Sequence, residues 1–217
     1  MYDVRKKEAG DNMTEFYLVR HGKTKFNLEG RFQGGKVDSD LLDTSIAECT
    51  LLGKKLEKIN FDLLITSQQG RAVETGEIVL NENQYKDFIE KRRSKKLNEI
   101  DFGIWDGVLE EEILFPEQLF FFRNQPEKFD ARVIDGEHYY EVYARVRTLF
   151  DNINNEFPDG KILVISHGMT LLSFAAGILK LPYAQLRELS ILDNNSLSII
   201  STSEGKWWVK QWNNKKF

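Results

Sequence analysis

Cysteine, proline and histidine are all scarce in this chain. Its 217 residues hold one cysteine, four prolines and three histidines. A single cysteine, Cys49, excludes an intrachain disulfide, and no Cys/His spacing suited to zinc occurs. Cys49 falls within an expected amphipathic helix and reads as a small apolar filler. No apolar run reaches the roughly 18 residues that mark a membrane span, and the first residues carry no apolar signal core. These absences set the expectation of a cytoplasmic protein with no membrane partner. Positive charge is lacking too: 30 Lys and Arg face 34 Asp and Glu, for a net charge of −4. That excludes the broad basic footprint of general nucleic-acid binding. The run Lys91-Arg92-Arg93-Ser94-Lys95-Lys96 reads as solvated surface after a strand. Repeats and low-complexity segments are absent as well. What remains is a globular composition, 41% hydrophobic and 29% charged, sized for one large domain or one domain with an insertion.

Two of the three histidines occupy the same kind of junction. Phe16-Tyr17-Leu18-Val19 is an apolar run that reads as a short buried strand, and it gives way at once to Arg20-His21-Gly22-Lys23-Thr24. Lys161-Ile162-Leu163-Val164-Ile165 is a second such run, closed by Ser166-His167-Gly168-Met169-Thr170. If both strands run parallel in one sheet, His21 and His167 emerge on the same edge, where open α/β sheets bind ligands. Arginine offers a fixed fork of donors for phosphate or carboxylate, and histidine can act as nucleophile, acid or base. The repeated pattern points to one shared polar site.

The rest of the chain fits an alternation of strands and helices. Residues 1–13 are mostly polar and are expected to form a poorly ordered extension ahead of a single domain over 14–217. Translation could begin at Met1 or at Met13. A loop over 28–42 carries Gly30, Gln33, Gly34 and Gly35. A helix is expected from Asp43 or Thr44 to about Ile59, a strand over 61–66, and a helix from near Gly70 to about Leu80. Arg71 then stands in a first helical turn, where a cation opposes the helix dipole. It either meets a bound anion or is exposed and paired with Glu74 or Glu77. A short third strand is expected at 88–91. The span Leu97–Gly107 holds Glu99, Asp101 and Asp106, any of which could be functional. An insertion at about 108–136 is rich in Phe and reads as short helices covering the sheet edge. Its Phe cluster is read as ordinary core, with a substrate-facing wall as the alternative. A long helix is expected from Glu137 to about Glu156, a strand over 162–165, a buried helix over 169–179, and a hairpin with Glu204-Gly205 at its turn. The fold class that follows is α/β, a three-layer α/β/α sandwich whose mostly parallel sheet has an antiparallel edge.

Four motifs in this order carry a resemblance: Arg20-His21-Gly22-Lys23-Thr24-x-x-Asn27, Ser67-x-x-x-Arg71-Ala72-x-x-Thr75, Leu97-Asn98-Glu99-x-x-x-Gly103, and Ser166-His167-Gly168. The chain resembles the histidine phosphatase superfamily, the phosphoglycerate mutase-like proteins, over roughly residues 14–202. The resemblance implies a metal-independent phosphatase that hydrolyses small-molecule phosphate monoesters through a phosphohistidine, with no cofactor. It puts His21 as nucleophile, with Arg20, Arg71 and His167 around the phosphoryl group and Glu99 as general acid. It places Asn27, Thr24, Gln33, Gly34 and the backbone at Gly168 with the substrate. The alternatives are a phosphoglycerate mutase and a non-catalytic phospho-ligand-binding protein on the same fold; in every case the chain is expected to be a monomer or a homodimer. The sequence departs from the family pattern at Asp40, Gln69, Gly76 and His138. From Asp101 to Glu137 ten acids face three bases, an acidic cover that favours hydrolysis of a monophosphate over shuffling on a bisphosphate.

Overall fold

A computed structural model describes residues 13–216, so the expected extension over 1–12 lies outside the described residues. Met13 belongs to the folded body. It is 1% exposed, and its backbone N–H donates to Asp159 Oδ1 at 2.7 Å.

The elements run β1 (Thr14–Arg20), α1 (Lys25–Glu29), α2 (Asp43–Lys55), β2 (Leu63–Thr66), α3 (Gly70–Asn81), β3 (Glu90–Arg93), α4 (Pro116–Asn124), α5 (Tyr139–Glu156), β4 (Lys161–Ser166), α6 (Gly168–Ile178), β5 (Leu197–Ser203) and β6 (Lys206–Asn214). The strands form one sheet in the order β3-β2-β4-β1-β5-β6. The first four are parallel, and β5 and β6 pair antiparallel at one side. Strand alternation divides the apolar side chains between two cores. Phe16, Leu18, Ile162 and Val164 face α5 and α6, whereas Val19, Leu163 and Ile165 face α2 and α3. Phe16 stacks on Phe150 of α5 with ring centroids 4.5 Å apart. Full burial of such a side chain contributes about 1.5–3 kcal/mol. The result is the three-layer sandwich with an antiparallel edge that the sequence implies. Among the described residues no helix is long and apolar enough to cross a membrane.

Two elements depart from expectation. The third strand is Glu90–Arg93, so the first half of the basic run is the strand itself and not surface after it. As the last strand of the sheet it pairs only with β2, so charged side chains suit its open edge. Phe88, expected within it, is 88% exposed. Helix α2 ends at Lys55, short of Ile59. Asn83 Nδ2 donates to the carbonyls of Leu56 and Ile59 (2.9 and 3.0 Å) and holds the chain in a turn there.

The insertion forms α4 and three short 3-10 segments, at Glu110–Glu112, Pro126–Lys128 and Ala131–Ile134. Its Phe side chains take three places. Phe129 is in the core, Phe122 is in the core and in a cavity wall, and Phe115 and Phe120 are exposed.

Candidate active site

Parallel pairing aligns Arg20 with Ser166, and His21 N–H continues the ladder to Ser166 O at 2.9 Å. His21 and His167 therefore leave adjacent strands side by side, with ring centroids 5.0 Å apart. Both are buried, at 3% and 0% exposure. Gly22 makes this possible, because a Cβ there would stand 2.7 Å from Ser45 Oγ. The chain turns against α2 and α3, with Gly22 N–H on Thr75 Oγ1 of α3 and Lys23 N–H on Ser45 Oγ of α2.

The ring of His21 is fixed in one tautomer. Nδ1 lies 2.7 Å from Gly22 O, a carbonyl that only accepts, so Nδ1 carries the proton. Nε2 keeps its lone pair and accepts from Arg71 Nε at 3.3 Å. Burial, and then the charges of Arg71 and Arg20, hold the His21 pKa well below 6.5. Burial does the same to His167, followed by Arg71 and the His21 ring. Both rings are neutral at pH 7. Among the described residues, buried nitrogens around them lack partners: Arg20 Nε and both ring nitrogens of His167. A cluster of unsatisfied buried nitrogens is costly unless a ligand completes it.

Arg71 is neither exposed nor paired with Glu74 or Glu77. Its side chain is fully buried, and Nη1 donates to Asp38 Oδ1 and Val37 O at 2.9 Å each. Asp38 also accepts from Gly70 N–H at the start of α3, which offsets a cation placed against the helix dipole. Arg20 Nη1 donates to Leu192 O, and its guanidinium packs on Gly168, where a Cβ would come within 3.3 Å.

Of the three acids in the 97–107 loop, Glu99 is the one in the cavity wall. Oε1 accepts from Ile100 N, Thr170 N and Thr170 Oγ1, each at 2.9 Å, and Oε2 accepts from Met169 N at 3.1 Å. It thus seats on the first turn of α6, a favourable place for a carboxylate. Asp101 pairs with Lys36, and Asp106 accepts from Gly34 N–H and Lys36 N–H.

The resulting cavity measures about 360 Å³ and is lined by Arg20, His21, Asn27, Gln33, Glu99 and Gly168, among others. Two expected substrate contacts, like Arg71 and His167, are not among the residues of the cavity wall. Thr24 is fully buried, caps α1 by accepting from Asn27 N–H, and donates to Gln33 Oε1. Gly34 is outside the cavity wall. It packs where a Cβ would collide with Asp106 and Ile100 O, and so brings the loops together. No group of three or more His, Cys, Asp or Glu among the described residues stands close enough to hold a metal ion.

The family model of the histidine phosphatase superfamily (branch 1) matches residues 16–215. The chain belongs to that superfamily. It is similar to the probable phosphoglycerate mutase GpmB of Cronobacter sakazakii, at 31% identity over 92% of this chain and 90% of that protein. It is similar also to phosphoserine phosphatase 1 of Hydrogenobacter thermophilus, at 27% over 88% of each. Among solved structures, Bacillus stearothermophilus YhfR superposes with a TM-score of 0.84 at 30% identity, covering 91% of this chain and 96% of that one.

Within this histidine phosphatase fold, sequence reasoning missed several polar residues near the site. Gln69 is one of the departures from the family pattern and is buried. Its Oε1 accepts from Glu99 N–H at 2.8 Å, and its Nε2 donates to Gly34 O at 2.8 Å and Val37 O at 3.2 Å. It joins the loop of Gly34 to the loop of Glu99. Asn194 Nδ2 donates to His21 O and Asn27 Oδ1, and no local pattern announces it. The acidic cover is misleading in a different way. Of its acids Glu110 lines the cavity, and there it is paired with Arg123 from α4, which lines the cavity together with Arg31 and Arg187. A count along the chain does not record which way each charge points.

Proposed function

We propose that this chain is a phosphoric monoester hydrolase acting on small-molecule phosphate esters through a phosphohistidine at His21. The observation that carries this is the Nδ1 contact to Gly22 O. It leaves Nε2 unprotonated beside Arg71 and amid the unpartnered nitrogens of Arg20 and His167. Nε2 attacks phosphorus, the P–N bond forms, and the ester P–O bond breaks. Arg20, Arg71 and a His167 N–H meet the charge on the non-bridging oxygens. Asn27 and the backbone at Gly168 add donors. Glu99 gives a proton to the leaving oxygen, with Oε2, the oxygen holding a single bond, as the one that turns. Water then attacks phosphorus, its proton passes to Glu99, and the P–N bond breaks. Gln33 lines the approach.

Arginine supplies the positive charge in this scheme and the neutral His167 a hydrogen-bond donor, so no cofactor or metal is assigned. The substrate is the only partner proposed, with neither nucleic acid nor membrane. Every group of the site comes from one chain, so a monomer suffices and a homodimer is compatible. The single cysteine supports a cytoplasmic setting, and among the described residues no helix is long and apolar enough to cross a membrane.

Phosphoryl shuffling is the second reading, favoured by the GpmB relative and by the cavity arginines. It requires holding a bisphosphate, with two dianions. Beyond the inner site the wall offers Arg31 and Arg123, already matched to Glu29 and Glu110, and Arg187. One unmatched cation fits hydrolysis better. Every catalytic position is present, which argues against a purely binding protein.

The test is His21→Ala with an alkyl and an aryl phosphate, in excess chelator. Wild type is expected to turn over with chelator present and to form an acid-labile, base-stable phosphoenzyme, and the variant to do neither. Undiminished hydrolysis by His21→Ala, or loss with chelator reversed by a divalent ion, sinks the mechanism.

A further inference from the structure

Both strand ends read His-Gly-x-Thr. The first threonine, Thr24, caps α1, and the second takes no part in the hydrolytic scheme. Thr170 stands in the first turn of α6 and is fully buried. Its Oγ1 lies 2.8 Å from Asn98 O and 2.9 Å from Glu99 Oε1. A hydroxyl has one hydrogen, and the Asn98 carbonyl only accepts, so the hydroxyl serves one of the two oxygens at a time. Glu99 Oε1 already takes the N–H groups of Ile100 and Thr170, at 2.9 Å each. Those two donors fill the lone pairs of a neutral carbonyl-type oxygen. A third donor gains most when the carboxylate carries its charge.

We propose that Thr170 is a positioning residue whose hydroxyl follows the proton of Glu99: it bonds Asn98 O while Glu99 is the acid and Glu99 Oε1 while Glu99 is the carboxylate. The inference rests on the hydrolytic reading, in which Glu99 loses and regains one proton per turnover. The proton on Oε2 passes to the leaving oxygen, and negative charge appears on the carboxylate. The hydroxyl hydrogen then swings from Asn98 O to Oε1. When Glu99 takes a proton from the attacking water, the hydrogen swings back. Both acceptors are already within reach, so only the O–H turns. The N–H donors on Glu99 lack this freedom, because the backbone fixes their direction. Other charges form a constant background. Arg20 of β1 and Arg71 of α3 act on Glu99 as charges. His21, Arg31, Glu110, Arg123 and Arg187 share its cavity, and Lys36, Lys96, Asp101, Glu137 and Arg145 border a second cavity that Glu99 also borders. Thr170 is uncharged, and replacing it by another uncharged residue leaves all of these in place.

The test is a titration of the Glu99 carboxyl carbon by NMR in wild type, Thr170→Val and Thr170→Ser, the resonance being assigned by its loss in Glu99→Gln. Thr170→Val removes a donor that favours the anion, so Glu99 should keep its proton to higher pH. The charge-assisted bond lost by the anion outweighs the neutral bond lost by the acid, which sets the expected upward move of the midpoint at about one pH unit. Thr170→Ser keeps the hydroxyl and should restore the wild-type midpoint. In wild type the Asn98 carbonyl carbon should titrate together with Glu99, a measurement that needs no variant. Melting curves report folding, and Thr170→Ala replaces Thr170→Val if the latter does not fold. In kinetics the alkaline limb of kcat/KM should move up by the same amount for an alkyl phosphate, which needs the proton, and stay in place for an activated aryl phosphate. An unmoved or lowered midpoint in the folded variant overturns the proposal. So does a full shift in Thr170→Ser, an Asn98 carbonyl that does not titrate, or an unmoved alkyl limb. If the midpoint moves as expected but wild type turns over neither ester, the hydroxyl switch stands and the hydrolytic reading falls.

Discussion

A single carbonyl sets the chemistry of His21. Gly22 O takes the Nδ1 proton into a hydrogen bond, and the lone pair at Nε2 is what remains to react. Glu99 is distinguished from Asp101 and Asp106 by place alone, because the other two are spent on Lys36 and on the backbone of the 34–36 loop. A general acid matters most when the leaving group is poor. Glu99→Gln should therefore slow phosphoenzyme formation far more for an alkyl phosphate than for an activated aryl phosphate, by about 10²–10⁴-fold for the alkyl ester. Stopped-flow or quench measurements on both esters read this directly. Equal slowing of both, with selective loss in Asp101→Asn or Asp106→Asn, would move the acid to another residue.

Between elements, Gln69 connects three segments that pattern reading treats as separate. Its side chain ties the N-cap of α3 to Gly34 and to the backbone of Glu99. Gln69→Leu restores the family's common residue but leaves the buried Glu99 N–H unmatched, at about 1–3 kcal/mol, while the carbonyls of Gly34 and Val37 keep Arg71 as a donor. The expected outcome is a lower Tm and a fall in kcat larger than the change in KM, since the Glu99 loop is displaced and the phosphate cations are not. Unchanged kcat in a folded Gln69→Leu protein would show that the tie is structural only. The signal was in the sequence, as a polar residue where an apolar one is common, but its partners lie 35 and 30 residues away. Arg71 shows the same limit. Its helical position was legible and its partner Asp38 was not, because the ion pair forms across a loop.

For the whole molecule, buried titrating groups make stability depend on pH in opposing ways. His21 and His167 have folded pKa values well below 6.5. As pH falls beneath 6.5, the unfolded chain gains protons at these positions that the native chain refuses, so stability drops. Each histidine contributes at most about 1.4 kcal/mol per pH unit. Burial raises Asp106 from 3.8 to about 6. Between those values the native chain holds a proton that the unfolded chain releases. Its contribution is complete at low pH and is lost as pH rises through about 6. Relative to Asp106→Asn, wild type should lose on the order of 2 kcal/mol between pH 4 and pH 7, as read by urea unfolding. A pH-independent difference between the two proteins would contradict the raised value.

The sequence by itself determined the alternation of elements, the two equivalent strand ends and the residues gathered there. Those features rest on local signals: apolar runs, glycines at turns, and side-chain periods that neighbouring residues carry. The four motifs also carried the family. Tertiary structure alone decided the tautomer of His21, the burial of Arg71 against Asp38, the place of Thr24 as a helix cap, and the arginines of the cavity wall. Each depends on groups brought together from distant parts of the chain and on the direction a side chain takes from its helix or loop. Composition and spacing do not record direction, and for Arg123 and Arg187 direction is what places a charge at the cavity.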